Sequence, residues 1–294
     1  GGNIRNLPPL NGLKLLPTVP SHFISKNCYL HGEGNILYSG ETSGLLSLLL
    51  AAKEIENGTV DRAIVASVFT PFSPHEFLWL SEQGSVRRTT GDEEPANLVF
   101  PFDRRHQGKI LGEGVGTLVV ENEECAKENG RKILGYINGG ASNIFPGDNF
   151  GSLTKEGFKG NILQAVANAQ MDEKDIAVVF STGISCPEWD NAELGAILDI
   201  WEDWPVSISC NTSYLGDTGP VSSIINCILA IKSMSRDCYI PVMNFESAEK
   251  QFENKLKDQF NPKEGNRINH CLISTAGSGG SYCSVILEGG EQNE

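Results

Sequence analysis

The sequence has no apolar run long enough to cross a bilayer. The longest, such as Leu45 to Ala52, fall far short of the roughly 20 residues a spanning helix needs. No basic stretch followed by an apolar core opens it, so no secretory signal is visible. Positive charge is scarce: Lys plus Arg number 23 against 37 Asp plus Glu, a formal net charge of −14. That balance supplies no footprint for nucleic-acid phosphates and is repelled by an anionic membrane surface. The eight cysteines include no C-x-x-C pair, and the five histidines form no H-x-x-x-H or H-x-H pattern, so metal-knuckle spacing is missing. Apolar residues make up 39%. A chain this long buries roughly 75% of its unfolded surface and needs no disulfide staples. Reduced, mostly buried thiols in a cytoplasmic protein are expected.

Elements alternate between strand-like and helix-like, the pattern of a layered α/β protein. Ile36-Leu37-Tyr38 leads into a tight stretch, Ser39-Gly40-Glu41-Thr42-Ser43-Gly44, and then a helix through Leu45–Glu56. Arg62–Phe69 reads as a buried strand and residues 81–100 as a surface loop. A Gly-rich turn, Gly112–Gly116, feeds a strand over Thr117–Glu121, and Lys132–Gly139 is another strand. Helices are expected over Gly157–Ala169, Ala192–Trp201 and Pro220–Met234, the last with Pro in its first turn. Further strands are expected over Ile176–Ser181, Val206–Cys210, Cys271–Thr275 and Ser284–Leu287. Ile110–Glu121 and Thr275–Glu288 are both Gly-rich turns feeding a β-branched strand that ends in Glu. They read equally well as an internal repeat or as two unrelated hairpins.

Together these segments resemble the β-ketoacyl synthases of the thiolase superfamily. PFDRRHQGKILGEGVGTLVVE is similar to the family's P-F-D…G-x-x-x-G-E-G-A-G segment. The stretch through STGISCPEWDNAE is similar to the strand that delivers the first catalytic His and to the D-x-x-E helix, with Asp190 and Glu193 at the acidic positions. VSISCNTSYLGDTGP is similar to the segment bearing the second His, and IPVMNF and GSGGSYCSVIL to the terminal motifs. The resemblance implies a layered αβαβα fold of two pseudo-repeated halves. These are a partial N-terminal half over 1–130 and a C-terminal half over 131–294. Only 40 residues precede Glu41, fewer than the family carries there, and Asn11–Pro20 already resembles the loop upstream of the elbow. The N-terminal part is therefore expected to be missing, and with it the residues that set chain length.

The family's chemistry needs a Cys at a helix N-terminus, where the dipole favours its thiolate, and two His that stabilise the enolate and oxyanion. All three positions are changed. Glu41 stands at the Cys, Thr182 at the first His and Ser213 at the second. Ile208 replaces the Lys of S-T-K-S, and Ser278 replaces the gating Phe of G-F-G-G. An acyl group on Glu41 would be a mixed anhydride, too activated to wait for an extender unit. Thr182 and Ser213 have no group that titrates near neutrality. No catalytic residue is assigned, and Ser278 and Gly279 remain as substrate-lining positions.

A retained scaffold with an emptied centre resembles the chain-length factor, the non-condensing half of ketosynthase heterodimers that assemble polyketides, polyenes and aryl polyenes. In those partners the Cys position is usually Gln, so Glu41 is a departure. Glu41 itself has two readings. One is an acid favoured in the first turn of a helix by ~0.3–1 kcal/mol. The other is a fixed anion mimicking the thiolate, bonded to Ser213 or to backbone N–H groups. Cys186 and Cys210 read as buried inert thiols, His106 as a solvated or structural side chain, and Trp201 and Trp204 as core or interface packing.

The resemblance implies an active ketosynthase as partner, with the acyl carrier protein docking on that partner, and no metal or cofactor. Two rivals are carried. One is a decarboxylase or acyltransferase using Glu41 as general base, and the other is a stand-alone homodimer that binds acyl chains.

Overall fold

The structure, a computed structural model, describes residues 16, 18–82, 85–149, 151–256, 258–262 and 267–290. The chain divides into two units, Gly1–Tyr38 and Ser39–Glu294. In the first, α1 (Thr18–Cys28) buries none of its side chains. The loop expected over Asn11–Pro20 lies largely outside the described residues, but Thr18–Pro20 open α1 instead. Pro20 sits in the first turn, where a missing N–H removes no helical bond.

The second unit begins with a 3-10 turn, Gly40–Thr42, running into α2 (Ser43–Glu56). β1 (Arg62–Phe69) falls on the residues expected of it, and α3 (Pro74–Glu82) follows. The surface loop expected over 81–100 is only partly that. Its first two residues end α3, and Leu98 and Val99 are buried. β2 (Gly114–Glu121) starts three residues earlier than expected. Gly116 belongs to the strand because a Cβ there would lie 2.8 Å from Ile224, so the turn-like glycines mark close packing.

Next come α4 (Glu123–Glu128) and β3 (Gly135–Ile144). The boundary expected at 130/131 falls between them. The remainder is α5 (Lys155–Asn168), β4 (Val178–Phe180), α6 (Pro187–Ile200), β5 (Ser207–Ser209), α7 (Thr212–Leu215), α8 (Pro220–Met234), β6 (His270–Gly277) and β7 (Ser281–Gly289).

β1 and β2 pair antiparallel in a sheet of two, and five strands form a mixed sheet in the order β3-β7-β6-β4-β5. β4 runs parallel to both β5 and β6, while β7 is antiparallel to β6 and β3. The large sheet is apolar on both faces because both are covered. On one face Val179, Ile208 and Leu272 meet Ile162 and Val166 of α5 and Leu194 and Ile197 of α6. On the other, Val178, Phe180, Ile273 and Val285 meet Leu45 and Leu48 of α2 and Ile224 and Cys227 of α8, with Val65 of β1 in the same cluster. The described layers are therefore helices, sheet, helices and the two-stranded sheet. Gly44 lets α2 and α8 touch, because a Cβ there would strike the carbonyl of Pro220. No helix among the described residues is long and apolar enough to cross a membrane.

Candidate functional site

The Gly40–Thr42 turn places Glu41 beside Lys109 and the β6–β7 turn. Thr42 fixes this turn from inside: its hydroxyl donates to the Ser39 carbonyl at 2.8 Å and lies 3.1 Å from Ser281 Oγ. Glu41 Oε1 is 3.5 Å from Lys109 Nζ, and Oε2 accepts weakly from Ser278 N and Oγ at 3.4 and 3.5 Å.

Lys109 is buried, with its ammonium 2.9 Å from Asp217 Oδ2 and 5.7 Å from the centre of the Trp189 ring. Burial alone would push its pKa down. Asp217 first and Glu41 second outweigh burial and hold it above its ordinary value. Asp217 is pinned from both sides. Its N–H donates to the Ile110 carbonyl at 2.7 Å, Gly112 N donates to its own carbonyl at 2.9 Å, and Oδ1 accepts from Gly219 N. Glu41, Lys109 and Asp217 thus form a carboxylate–ammonium–carboxylate cluster.

Thr182 follows β4 and is buried. Its hydroxyl donates to the Ser274 carbonyl at 3.4 Å, and its own carbonyl accepts from Thr212 Oγ1 at 2.8 Å. Glu193 of α6 takes N–H bonds from Thr182 and Gly183 at 2.9 to 3.1 Å. Burial pushes the Glu193 carboxyl up to about 8; the two N–H groups pull the other way without offsetting it. Ser213, on α7, accepts from Met243 N at 3.2 Å and interacts with the Cys210 thiol. The bond expected between Glu41 and Ser213 is not made. Its place is taken by Lys109, and the N–H contact is the long one from Ser278. Gly279, beside Ser278, faces open space. Of Glu41, Thr182, Ser213, Ser278 and Gly279, the structure brings together Glu41 and Ser278.

Of the two readings of His106, solvated or structural, the structural one holds. Its ring is buried, with Nδ1 3.2 Å from Asp190 and Nε2 3.3 Å from Glu249. Burial works against the imidazolium, but Asp190 and then Glu249 hold its pKa above the ordinary value. The charges of the run around it turn inward. Asp103, its neighbour, accepts from Arg105 and from Glu246 N and Ser247 N. Burial pushes the Cys210 thiol up to about 12 and raises that of Cys186, so neither is a nucleophile. Trp201 is buried and donates to the Glu173 carbonyl, while Trp204 is exposed.

Lys109 and Asp217 are the residues that sequence reasoning passed over. Each had a signal: a lone charge inside a stretch of small and apolar residues, Gly108-Lys109-Ile110-Leu111 and Gly216-Asp217-Thr218-Gly219.

Solved ketosynthases share this fold. The ishigamide ketosynthase/chain length factor superposes with a TM-score of 0.86 at 19% identity, over 97% of this chain and 68% of that one. A type II PKS acyl-carrier protein complex with its ketosynthase, AntDE:AntF, gives 0.89 at 18%, over 99% and 71%. The model "Beta-ketoacyl synthase, N-terminal domain" matches residues 2–126, and "Beta-ketoacyl synthase, C-terminal domain" matches 140–246. The chain belongs to the β-ketoacyl synthase family and has its thiolase-like fold. Among curated relatives, the tetracenomycin polyketide synthase ketoacyl synthase beta subunit of Streptomyces glaucescens is 24% identical over 72% of this chain. The chain spans about half the length of that relative, 51%.

Proposed function

We propose that this chain is a non-condensing, chain-length-factor-like subunit. It pairs with an active ketosynthase in polyketide or polyene assembly and shapes the tunnel in which the partner's chain grows. One observation carries the reading. The residue at the nucleophile position is a carboxylate tied to a buried lysine, and no imidazole is bonded to Glu41, Thr182 or Ser213 among the described residues. Condensation needs an acyl carrier stable enough to wait for an extender unit, and a mixed anhydride on Glu41 would not be. An acidic carrier protein is repelled by a −14 chain and docks on the catalytic partner.

The decarboxylase and acyltransferase readings fare worse, because a general base needs a free lone pair facing substrate. Glu41 spends one oxygen on Lys109 and the other on Ser278. The homodimer reading has no observation in its favour. Co-expression with a ketosynthase, native mass spectrometry and a condensation assay test the proposal. The expected result is a 1:1 complex whose turnover survives Glu41→Gln. Turnover by this chain alone, or loss of turnover on Glu41→Gln with the complex intact, overturns it.

A further inference from the structure

β4 runs parallel to β5 and to β6, so the three strands share one direction. Thr182 and Ser213 follow the C-terminal ends of β4 and β5. The opposite, N-terminal ends of the three strands border a groove of about 460 Å³. Sites for small molecules usually measure ~300–1,000 Å³. The groove lies between the segments 174–178, 201–207 and 267–268, with Tyr239 beside them.

Most polar groups on its floor are already spent. Ser207 N donates to the Ala177 carbonyl at 3.3 Å, and Ala177 N to the His270 carbonyl at 3.1 Å. The Trp201 indole donates to the Glu173 carbonyl at 2.8 Å, and the Tyr239 hydroxyl to the Asn261 carbonyl at 2.5 Å. Ile176, Val178, Val206 and Ile268 are buried beneath them. The floor therefore presents a ligand with chiefly apolar and aromatic surface.

The rim differs. Trp204 is 67% exposed, and its indole makes no hydrogen bond among the described residues. A single exposed apolar side chain is ordinary. This one is followed by Pro205, which narrows its backbone freedom, and it stands at the edge of a groove with two cations. Arg267 is exposed, and its guanidinium has neither an ion pair nor a hydrogen bond among the described residues. Lys174 has its ammonium 3.0 Å from Asp172. The chain carries 37 acidic residues against 23 basic ones, yet no residue lining the groove is Asp or Glu. A free guanidinium fork matches a carboxylate or a phosphate, and a flat indole face matches another ring.

We propose that this groove binds a planar aromatic anion, its ring stacked on Trp204 and its carboxylate or phosphate held by Arg267. Lys174 is the second cation, shared with Asp172. The apolar floor takes the body of the ligand. The site lies at the other ends of the strands from Thr182 and Ser213 and is independent of the reading given for Glu41.

Equilibrium dialysis and calorimetry on the purified chain test this with two probes, naphthoate and adenosine monophosphate. They separate an arenecarboxylate from a nucleoside phosphate, and saturable binding of either supports the proposal. Arg267→Gln should weaken binding about tenfold or more, the loss of a charge-assisted contact. Trp204→Ala should weaken it several-fold, while Trp204→Phe, which keeps a ring, should retain most of the affinity. Both side chains are exposed, so the melting temperature should hold in each variant. Glu41→Gln should leave binding unchanged. No saturable binding of either probe overturns the proposal. So does uncharged naphthalenemethanol binding as tightly as naphthoate, or affinity indifferent to Arg267 and Trp204.

Discussion

The ammonium of Lys109 lies 3.5 Å from the carboxylate of Glu41. The same ammonium is 2.9 Å from Asp217, so the pair is a triad of charges with one excess negative. Removing the cation leaves two carboxylates facing each other. Lys109→Met should therefore destabilise the chain by ~3–5 kcal/mol, the usual result of breaking a buried pair from one side. Adding Glu41→Gln and Asp217→Asn should restore much of the loss. Urea unfolding of the single and triple variants reads this, and a single variant as stable as the parent would show the triad to be idle.

Placing a thiol at residue 41 gives a second outcome. In Glu41→Cys the sulfur sits at a helix start and near Lys109, both of which favour a thiolate. Alkylation by iodoacetamide should titrate below the ordinary thiol pKa of about 8.5. Adding Lys109→Met should move the midpoint up. On the proposed function no condensation is expected, since no imidazole is bonded to Glu41 among the described residues. A midpoint indifferent to Lys109 would contradict the geometry.

Glu193 predicts a pH dependence. Its folded carboxyl is raised to about 8 from 4.5, so the folded state binds a proton that the unfolded state has lost across that interval. The stabilising contribution is complete below about pH 4.5 and is lost as pH rises towards 8. Glu193→Gln keeps a neutral acceptor for Thr182 N and Gly183 N. Its melting temperature should fall less than the parent's between pH 5 and 8. Parallel curves would mean that Glu193 is ionised throughout.

Asp103 behaves in the opposite sense. Burial works against its carboxylate, but Arg105 and the N–H groups of Glu246 and Ser247 outweigh it and hold the pKa at about 2. Its contribution is present above the ordinary carboxylate value of 3.8 and disappears as pH falls towards 2. Asp103→Asn weakens charge-assisted bonds to the 246–247 segment and should cost ~1.5–3 kcal/mol at pH 7. Urea midpoints at pH 7 and pH 2.5 check this. The difference between variant and parent should shrink at the lower pH.

The architecture was legible because strand runs such as Arg62–Phe69 and helices such as Pro220–Met234 carry their period and their end signals locally. β3 starts three residues and ends five residues later than expected, its end misplaced because Gly139 and Gly140 read as breakers but lie inside the strand. α3 was missed because its exposed Phe77, Leu78 and Trp79 give no polar face from which to read a stripe. At the site the contacts joining Glu41, Lys109 and Asp217 could not be read from the sequence. Lys109 and Asp217 meet Glu41 only through the fold, from segments far apart in the sequence, and no local pattern links the three.

The contact between α2 and α8 at Gly44 has a further consequence. Two helix N-termini meet there, each equivalent to roughly half a positive charge, and Glu41 and Asp217 occupy the turns just ahead of them. The main chain therefore imposes an electrical polarity on this spot before any side chain is chosen. Substitution there is free to exchange one kind of anion for another while the scaffold survives. A cation placed at residue 41 would be opposed by the peptide dipoles themselves.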